Sequence, residues 1–171
     1  MVNKNKKVIL GIDPGTSILG YGVVSKENKD IKSIKYDILS LKKHNSHMAK
    51  LKKIFYNTID LIVQYNPSEI AIEEQFYGKN VQSMLKLSRA QGVVIAAALS
   101  KEIAVQAYSP RKIKQSITGN GNASKEQVAY MIFCFSFSVQ ITIEIYLVLS
   151  GGPGFFYRYL YRWNKSFTRN Y

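Results

Sequence analysis

Val8-Ile-Leu-Gly-Ile-Asp-Pro-Gly-Thr-Ser-Ile-Leu-Gly-Tyr-Gly-Val-Val-Ser25 is the stretch on which the reading of this chain turns. Val8–Ile12 is a short apolar run that stops at Asp13-Pro14-Gly15, the pattern of a strand entering a turn. Gly20–Ser25 follows as a second apolar run, so the stretch reads as two successive strands. A polar stretch, Lys26–Asp30, is expected to be the hairpin loop, and Ile34–Leu41 the third strand.

The pattern then changes period. From Ser46 onward, Met48, Leu51, Ile54, Phe55, Ile59, Leu61 and Ile62 recur close to every 3.6 residues, with Lys50, Lys52 and Lys53 between them. That spacing predicts an amphipathic helix ending before Pro67. Glu69–Glu73 alternates acidic and apolar residues as a strand does. Asn80 suits the cap of a helix over Val81–Ser100, whose Ala90, Gly92 and Ala96–Ala98 suit close contact with another helix, within the chain or in a second subunit. Val105–Tyr108 reads as a strand, and Ser109-Pro110 opens a helix through Ile117. Gly119–Ser124 reads as a loop. Ser124 then caps a helix that begins Lys125-Glu126-Gln127-Val128, a partial capping box. The order β-β-β-α-β-α-β-α implies an α/β fold: three antiparallel strands, then parallel additions through right-handed crossovers, in one mixed five-stranded sheet flanked by helices.

The chain has 171 residues, enough for one domain with a core. Its 24 Lys+Arg against 11 Asp+Glu give a net charge of +13, which calls for a polyanionic partner. A single Cys, Cys134, excludes a disulfide framework and a Cys-rich zinc site. No secretory core segment opens the chain, so a cytoplasmic protein is expected. The composition breaks sharply after Glu126. Of the 21 aromatic residues, 13 fall in residues 127–171, where Glu144 is the sole acidic residue. Met131–Ser150 is an apolar run long enough to span a membrane, but Glu144 would be costly there, so no membrane partner is expected.

Asp13 ends the first strand. It reads either as a turn aspartate bonding its own backbone or as a carboxylate projecting toward a cleft. Glu73 and Glu74 end the fourth strand and point to opposite faces, so only one of them can join Asp13. Two carboxylates from adjacent strands are hard oxygen ligands suited to Mg²⁺ or Mn²⁺. Arg111, Lys112, Lys114 and Lys125 flank the Gly/Asn loop, as solvated side chains or as contacts to a phosphate backbone. Phe76 and Tyr77, beside Lys79, either stack on bases or lie under the following helix. His44 and His47 read as solvated loop residues.

Four segments in this order, GIDPGTSILGYGVV (11–24), AIEEQFYGKN (71–80), LKLSRAQGVVIAAA (85–98) and YSPRKIKQSITGNGNASKEQV (108–128), resemble the RuvC family of crossover junction endodeoxyribonucleases. The opening motif alone is also similar to the first-strand turn of actin-like ATPases and sugar kinases, but no second Gly-rich phosphate motif follows. The RuvC resemblance implies a ribonuclease H-like fold over residues 1–130, a homodimer, and symmetric Mg²⁺-dependent nicking of four-way DNA junctions. Mn²⁺ can substitute, and two ions belong to an intact site. It implies Asp13 and Glu73 as catalytic metal ligands, Phe76 as the aromatic entering the junction centre, and Lys114 and Lys125 as DNA-binding lysines. It also implies the helix near Val81–Ser100 as the dimer contact, and the branch-migration proteins RuvA and RuvB as partners.

The resemblance breaks where the family places two further aspartates, in an Asp-Ala-x-Asp-like motif usually followed by a His. Residues 129–171 contain neither Asp nor His, and Glu144 is the one candidate substitute ligand. A change of reading frame after about Val128–Met131 joins this loss to the composition break, making 131–171 an out-of-frame tail. The expected activity is therefore an impaired resolvase, with a catalytically inactive junction-binding protein as the alternative.

Overall fold

The computed structural model describes residues 6–28, 30–74, 80–124, 126–128 and 130–131. Three strands come first: β1 (Lys6–Asp13), β2 (Ile18–Glu27) and β3 (Asp30–Ser40). They are followed by α1 (His47–Tyr65), β4 (Glu69–Glu73), α2 (Val81–Leu99), β5 (Ala104–Tyr108) and α3 (Pro110–Thr118). The sheet order is β3-β2-β1-β4-β5. Pairings β1–β2 and β2–β3 are antiparallel, whereas β1–β4 and β4–β5 are parallel. Every element expected from the sequence within the described residues is present, as a mixed five-stranded sheet flanked by helices.

The hairpin loop between the second and third strands is much shorter than Lys26–Asp30. Pairing continues to Glu27↔Asp30. The chain reverses because Asn28 adopts φ 56°, the left-handed region that asparagine tolerates better than most residues. Strand β3 consequently starts at Asp30 rather than Ile34, and a bulge between Val23 and Val24 takes up one extra residue.

Alternation along the strands sorts side chains onto two faces. Leu10 and Ile12 of β1, Leu19 and Val23 of β2, and Ile70 and Ile72 of β4 share one face, all fully buried. They form one cluster with Ile54, Leu61 and Ile62 of α1 and Ala90, Val94 and Ala98 of α2. Three of the small residues of α2 are core contacts: Ala90, Ala97 and Ala98 have no exposure and let the helix sit close to its neighbours, whereas Gly92 and Ala96 are exposed. Ser46 caps α1 by accepting from the Ala49 N–H, and Asn80 caps α2 by accepting from the Ser83 N–H.

The opposite face is built differently. Gly11 of β1 pairs with Gly22 of β2, and Asp13 pairs with Gly20. Ala71 of β4 pairs with Gly11 from the other side. No side chain larger than a methyl rises from these four positions around Asp13.

Candidate active site

The parallel register fixes what faces what. Ile12 pairs with Ile72, so the next residues, Asp13 and Glu73, leave β1 and β4 side by side. Both lie on the Gly11–Ala71 face, one residue beyond the last paired position of the two strands. Asp13 is 9% exposed and Glu73 is half-buried. Glu74 lies past the end of β4 and is exposed. The sheet therefore brings Glu73, not Glu74, to Asp13.

The backbone around each of the two residues is held by hydrogen bonds. Below Asp13, the turn closes tightly: a Cβ on Gly15 would sit on the Ile18 carbonyl oxygen, so only glycine fits. The Lys50 ammonium donates to the Thr16 carbonyl at 3.1 Å, and the Leu41 N–H donates to the Ser17 carbonyl at 2.9 Å. These contacts tie the turn to α1 and to the end of β3. The end of β4 is pinned twice. Gln91 of α2 donates from its side-chain amide to the Glu73 carbonyl at 3.2 Å, and the Glu74 N–H donates to the Tyr108 carbonyl at 2.9 Å.

The basic segment stands at the same end of the sheet. Tyr108 pairs with Glu73, and α3 begins two residues later. Ser109 accepts from the Lys112 N–H at 3.3 Å, and Pro110 occupies the first turn. The Lys112 ammonium lies 5.8 Å from the centre of the Tyr108 ring, within reach of a cation–π contact. Lys114 is half-buried beside Ile113, which is 8% exposed. Gly119, at φ 71°, ends the helix. The loop that follows is ordered by its own hydrogen bonds. Asn120 Oδ1 accepts from the Asn122 N–H, and Gly121 packs so closely on Arg111 that an added Cβ would lie 2.6 Å from its Cγ. Ser124 and Gln127 form a reciprocal capping box: the Ser124 N–H donates to Gln127 Oε1 at 2.8 Å, and the Gln127 N–H donates to Ser124 Oγ at 3.2 Å. Ala123 and Val128 are buried, which anchors both sides of the box.

Phe76, Lys125 and Glu144 lie outside the described residues. Among the described residues, no group of three or more His, Cys, Asp or Glu side chains could hold a metal ion. Asp13 and Glu73 fit a hard divalent cation by donor type. As a pair they supply fewer carboxylates than a two-ion site needs.

One residue departs from its sequence expectation. His47 is not a solvated loop residue; it is the first residue of α1, and its Nε2 is buried without a hydrogen-bond partner. Burial first, then the charges of Arg89, Lys86 and Lys50, pull its pKa below the ordinary 6.5. The available signal was Ser46, a good cap directly before it.

Similarity to known proteins follows the same outline. The family model described as "Crossover junction endodeoxyribonuclease RuvC" matches residues 9–142. The match thus runs past the composition break, and residues 143–171 fall outside it. A crossover junction endodeoxyribonuclease RuvC of Christiangramia forsetii is 59% identical over 131 residues, covering 77% of this chain and 68% of the relative. One of Bacteroides fragilis is 54% identical over 127 residues, covering 74% and 68%. Among solved structures, Thermus thermophilus RuvC superposes with a TM-score of 0.65 at 31% identity, covering 73% of this chain and 77% of that one. The structure described as T. thermophilus RuvC in complex with Holliday junction substrate gives 0.69 at 29% identity, covering 79% and 81%. The fold is accordingly ribonuclease H-like.

The shifted imidazole carries a pH prediction. Below 6.5 the unfolded chain binds a proton at His47 that the folded chain resists. The folded state therefore loses stability as the pH falls through 6.5. In urea denaturation, the drop in midpoint from pH 7.5 to 5.5 should be smaller for His47→Asn than for the parent chain.

Proposed function

The chain belongs to the RuvC family of crossover junction endodeoxyribonucleases, and on that premise we propose that it engages four-way DNA junctions through the carboxylate end of its sheet. The single observation that supports this is the parallel register ending at Ile12↔Ile72, after which Asp13 and Glu73 leave neighbouring strands at one end of the sheet, with a basic helix opening beside them.

In this proposal Asp13 and Glu73 hold Mg²⁺, or Mn²⁺ in its place, at the scissile phosphate. When bound, such an ion lowers the pKa of an attacking water and neutralises charge on the leaving 3′ oxygen. The glycine turn fixes the backbone that follows Asp13 and Gln91 fixes the backbone at Glu73, so the strand ends that carry the carboxylates need not reorganise when the phosphate arrives. Lys114 and Lys125 neutralise neighbouring phosphates and set the register of the strand without reading sequence. Phe76 enters the junction centre and unstacks a base step.

Two carboxylates do not complete such a site, and residues 129–171 offer neither Asp nor His. The same loss makes the second reading, a junction-binding protein without catalysis, the natural limit of the first. Out-of-frame translation of the tail accounts for the loss. The nucleotide sequence across codons 125–171 checks this, since another frame should encode an Asp-rich helix.

A second copy is expected along α2. Val81, Leu85 and Leu99 are 63%, 47% and 62% exposed, and a Cβ on Gly92 would meet open space. These positions fall on one side of the helix, away from the buried Ala90 and Val94, and suit a homodimer of the family type. RuvA and RuvB as partners rest on the family alone. Among the described residues no helix is long and apolar enough to cross a membrane.

With Mg²⁺ and a synthetic four-way junction, the full chain should bind but cleave at least about 100-fold more slowly than the Bacteroides fragilis relative, given how strongly metal sites depend on their ligand set. Asp13→Asn should remove any residual nicking and leave binding intact. Cleavage at the relative's rate would contradict the proposed impairment. Gly92→Lys should leave the fold intact by circular dichroism and lower the sedimentation mass from dimer to monomer.

A further inference from the structure

Strand β3 lies at the outside of the sheet, and among the described residues nothing pairs with its free edge. It runs for 11 residues without a proline. The Ile38 N–H donates to Asp37 Oδ1 at 2.8 Å, so it points away from β2. Backbone direction alternates along a strand, so Tyr36 also turns its N–H and carbonyl outward. The edge thus offers an open backbone ladder to another strand. The bulge at Val23/Val24 bends β3 near Ile34, which confines regular pairing to the stretch centred on Tyr36.

The side chains of this edge add a second feature. Ile34, Tyr36 and Ile38 are 45%, 60% and 41% exposed. Tyr36 and Ile38 stand on the Gly11–Ala71 face, and their cross-strand partners in β2 are Gly22 and Gly20. Glycine gives an edge side chain nothing to pack on, so β2 leaves this apolar row open. Lys35 and Asp37 alternate with the row, 3.3 Å apart and about half exposed. A lysine on a free edge ordinarily repels a second strand, but here Asp37 balances it. The order Ile34-Lys35-Tyr36-Asp37-Ile38 is self-complementary about Tyr36. Laid antiparallel on a second copy, it sets apolar on apolar and Lys on Asp.

We propose that the free edge of β3 binds a second copy of this chain, antiparallel, about a two-fold axis at Tyr36. Lys35 then faces the partner's Asp37, Ile34 faces the partner's Ile38, and the two Tyr36 side chains meet on the axis. Such a contact is isologous, each surface matching itself. Opposite charges and apolar side chains directly across from each other both favour an antiparallel pair. The contact joins two sheets into one through backbone hydrogen bonds and keeps both Asp13 faces on the same side. A single edge buries less than the roughly 1,000 Å² of a stable interface, so the association is weak and concentration-dependent. It uses neither the carboxylates nor α2, and so stands apart from junction binding and from the α2 contact.

The test is sedimentation equilibrium of the full chain up to about 1 mM, a range that populates weak contacts. The mass should double with concentration, in Gly92→Lys as in the parent. Lys35→Asp alone, or Asp37→Lys alone, sets like charges opposite each other twice across the axis and should weaken the association about tenfold. The double variant Lys35→Asp, Asp37→Lys should restore it, because the reversed pair is again complementary. Circular dichroism should show all three folded. Under mild oxidation, Tyr36→Cys in a Cys134→Ser chain should cross-link to its own copy. Lys32→Cys in the same chain should not, because this register holds the two copies of residue 32 roughly 27 Å apart, beyond disulfide reach. The inference is overturned if the mass does not rise, if the single reversals associate as the parent does, or if the double variant fails to recover. Equal cross-linking at positions 32 and 36 overturns the register.

Discussion

Hydrogen bonding between β1 and β4 in parallel register is the constraint on which this molecule depends. Because Leu10 pairs with Ile70 and Ile12 with Ile72, the apolar side chains of both strands fall on one face and into one core. The same register sends Asp13 and Glu73 together to the other face. A slip of one residue between the two strands would turn one strand over, burying its carboxylate, exposing its two large aliphatic side chains and separating Asp13 from Glu73 onto opposite faces. Fully burying each aliphatic side chain contributes roughly 1.5–3 kcal/mol, so the core holds the carboxylate pair in place far more strongly than the pair could hold itself. Core packing and site geometry are consequences of one pairing.

The surrounding elements serve that pair in complementary ways. Gly11, Gly20, Gly22 and Ala71 keep the sheet surface around Asp13 low. Alanines on α2 bring that helix close enough for Gln91 to reach the Glu73 carbonyl. The crossover from β5 into α3 places Lys112 and Lys114 beside the same sheet end, and the Ser124–Gln127 box closes the loop behind them. At this end of the sheet Asp13 and Glu73 carry negative charge, with Lys50 of α1 and Lys112 and Lys114 of α3 beside them. That distribution suits a polyanion drawn in by the flanks and held at the centre.

Most of the fold was legible because its signals are local. Asn80, Ser109 and Ser124 each cap the helix that the sequence assigned to them, and apolar periods of two and 3.6 separated strands from helices. That Asp13 and Glu73 end neighbouring strands was legible only through strand order, which the β-β-β-α-β pattern restricts to few topologies. What escaped was set by tertiary placement. The tight turn at Asn28 depends on one left-handed residue within a polar stretch that reads as loop. The lowered pKa of His47 depends on burial and on the charges of Arg89 and Lys86, about forty positions later, which the spacing within α1 could not show. The break in composition after Glu126 was visible at once, but the family match extends to residue 142, so composition and homology part at different points.

Cation binding by the isolated carboxylate pair tests the central claim most directly. Electron paramagnetic resonance of Mn²⁺ titrated into the full chain without DNA should show a bound fraction that Asp13→Asn and Glu73→Gln each abolish, and that Glu74→Gln leaves unchanged. Equal Mn²⁺ binding in all three variants and the parent would contradict the account, because the two neighbouring strand ends would then not form a metal site.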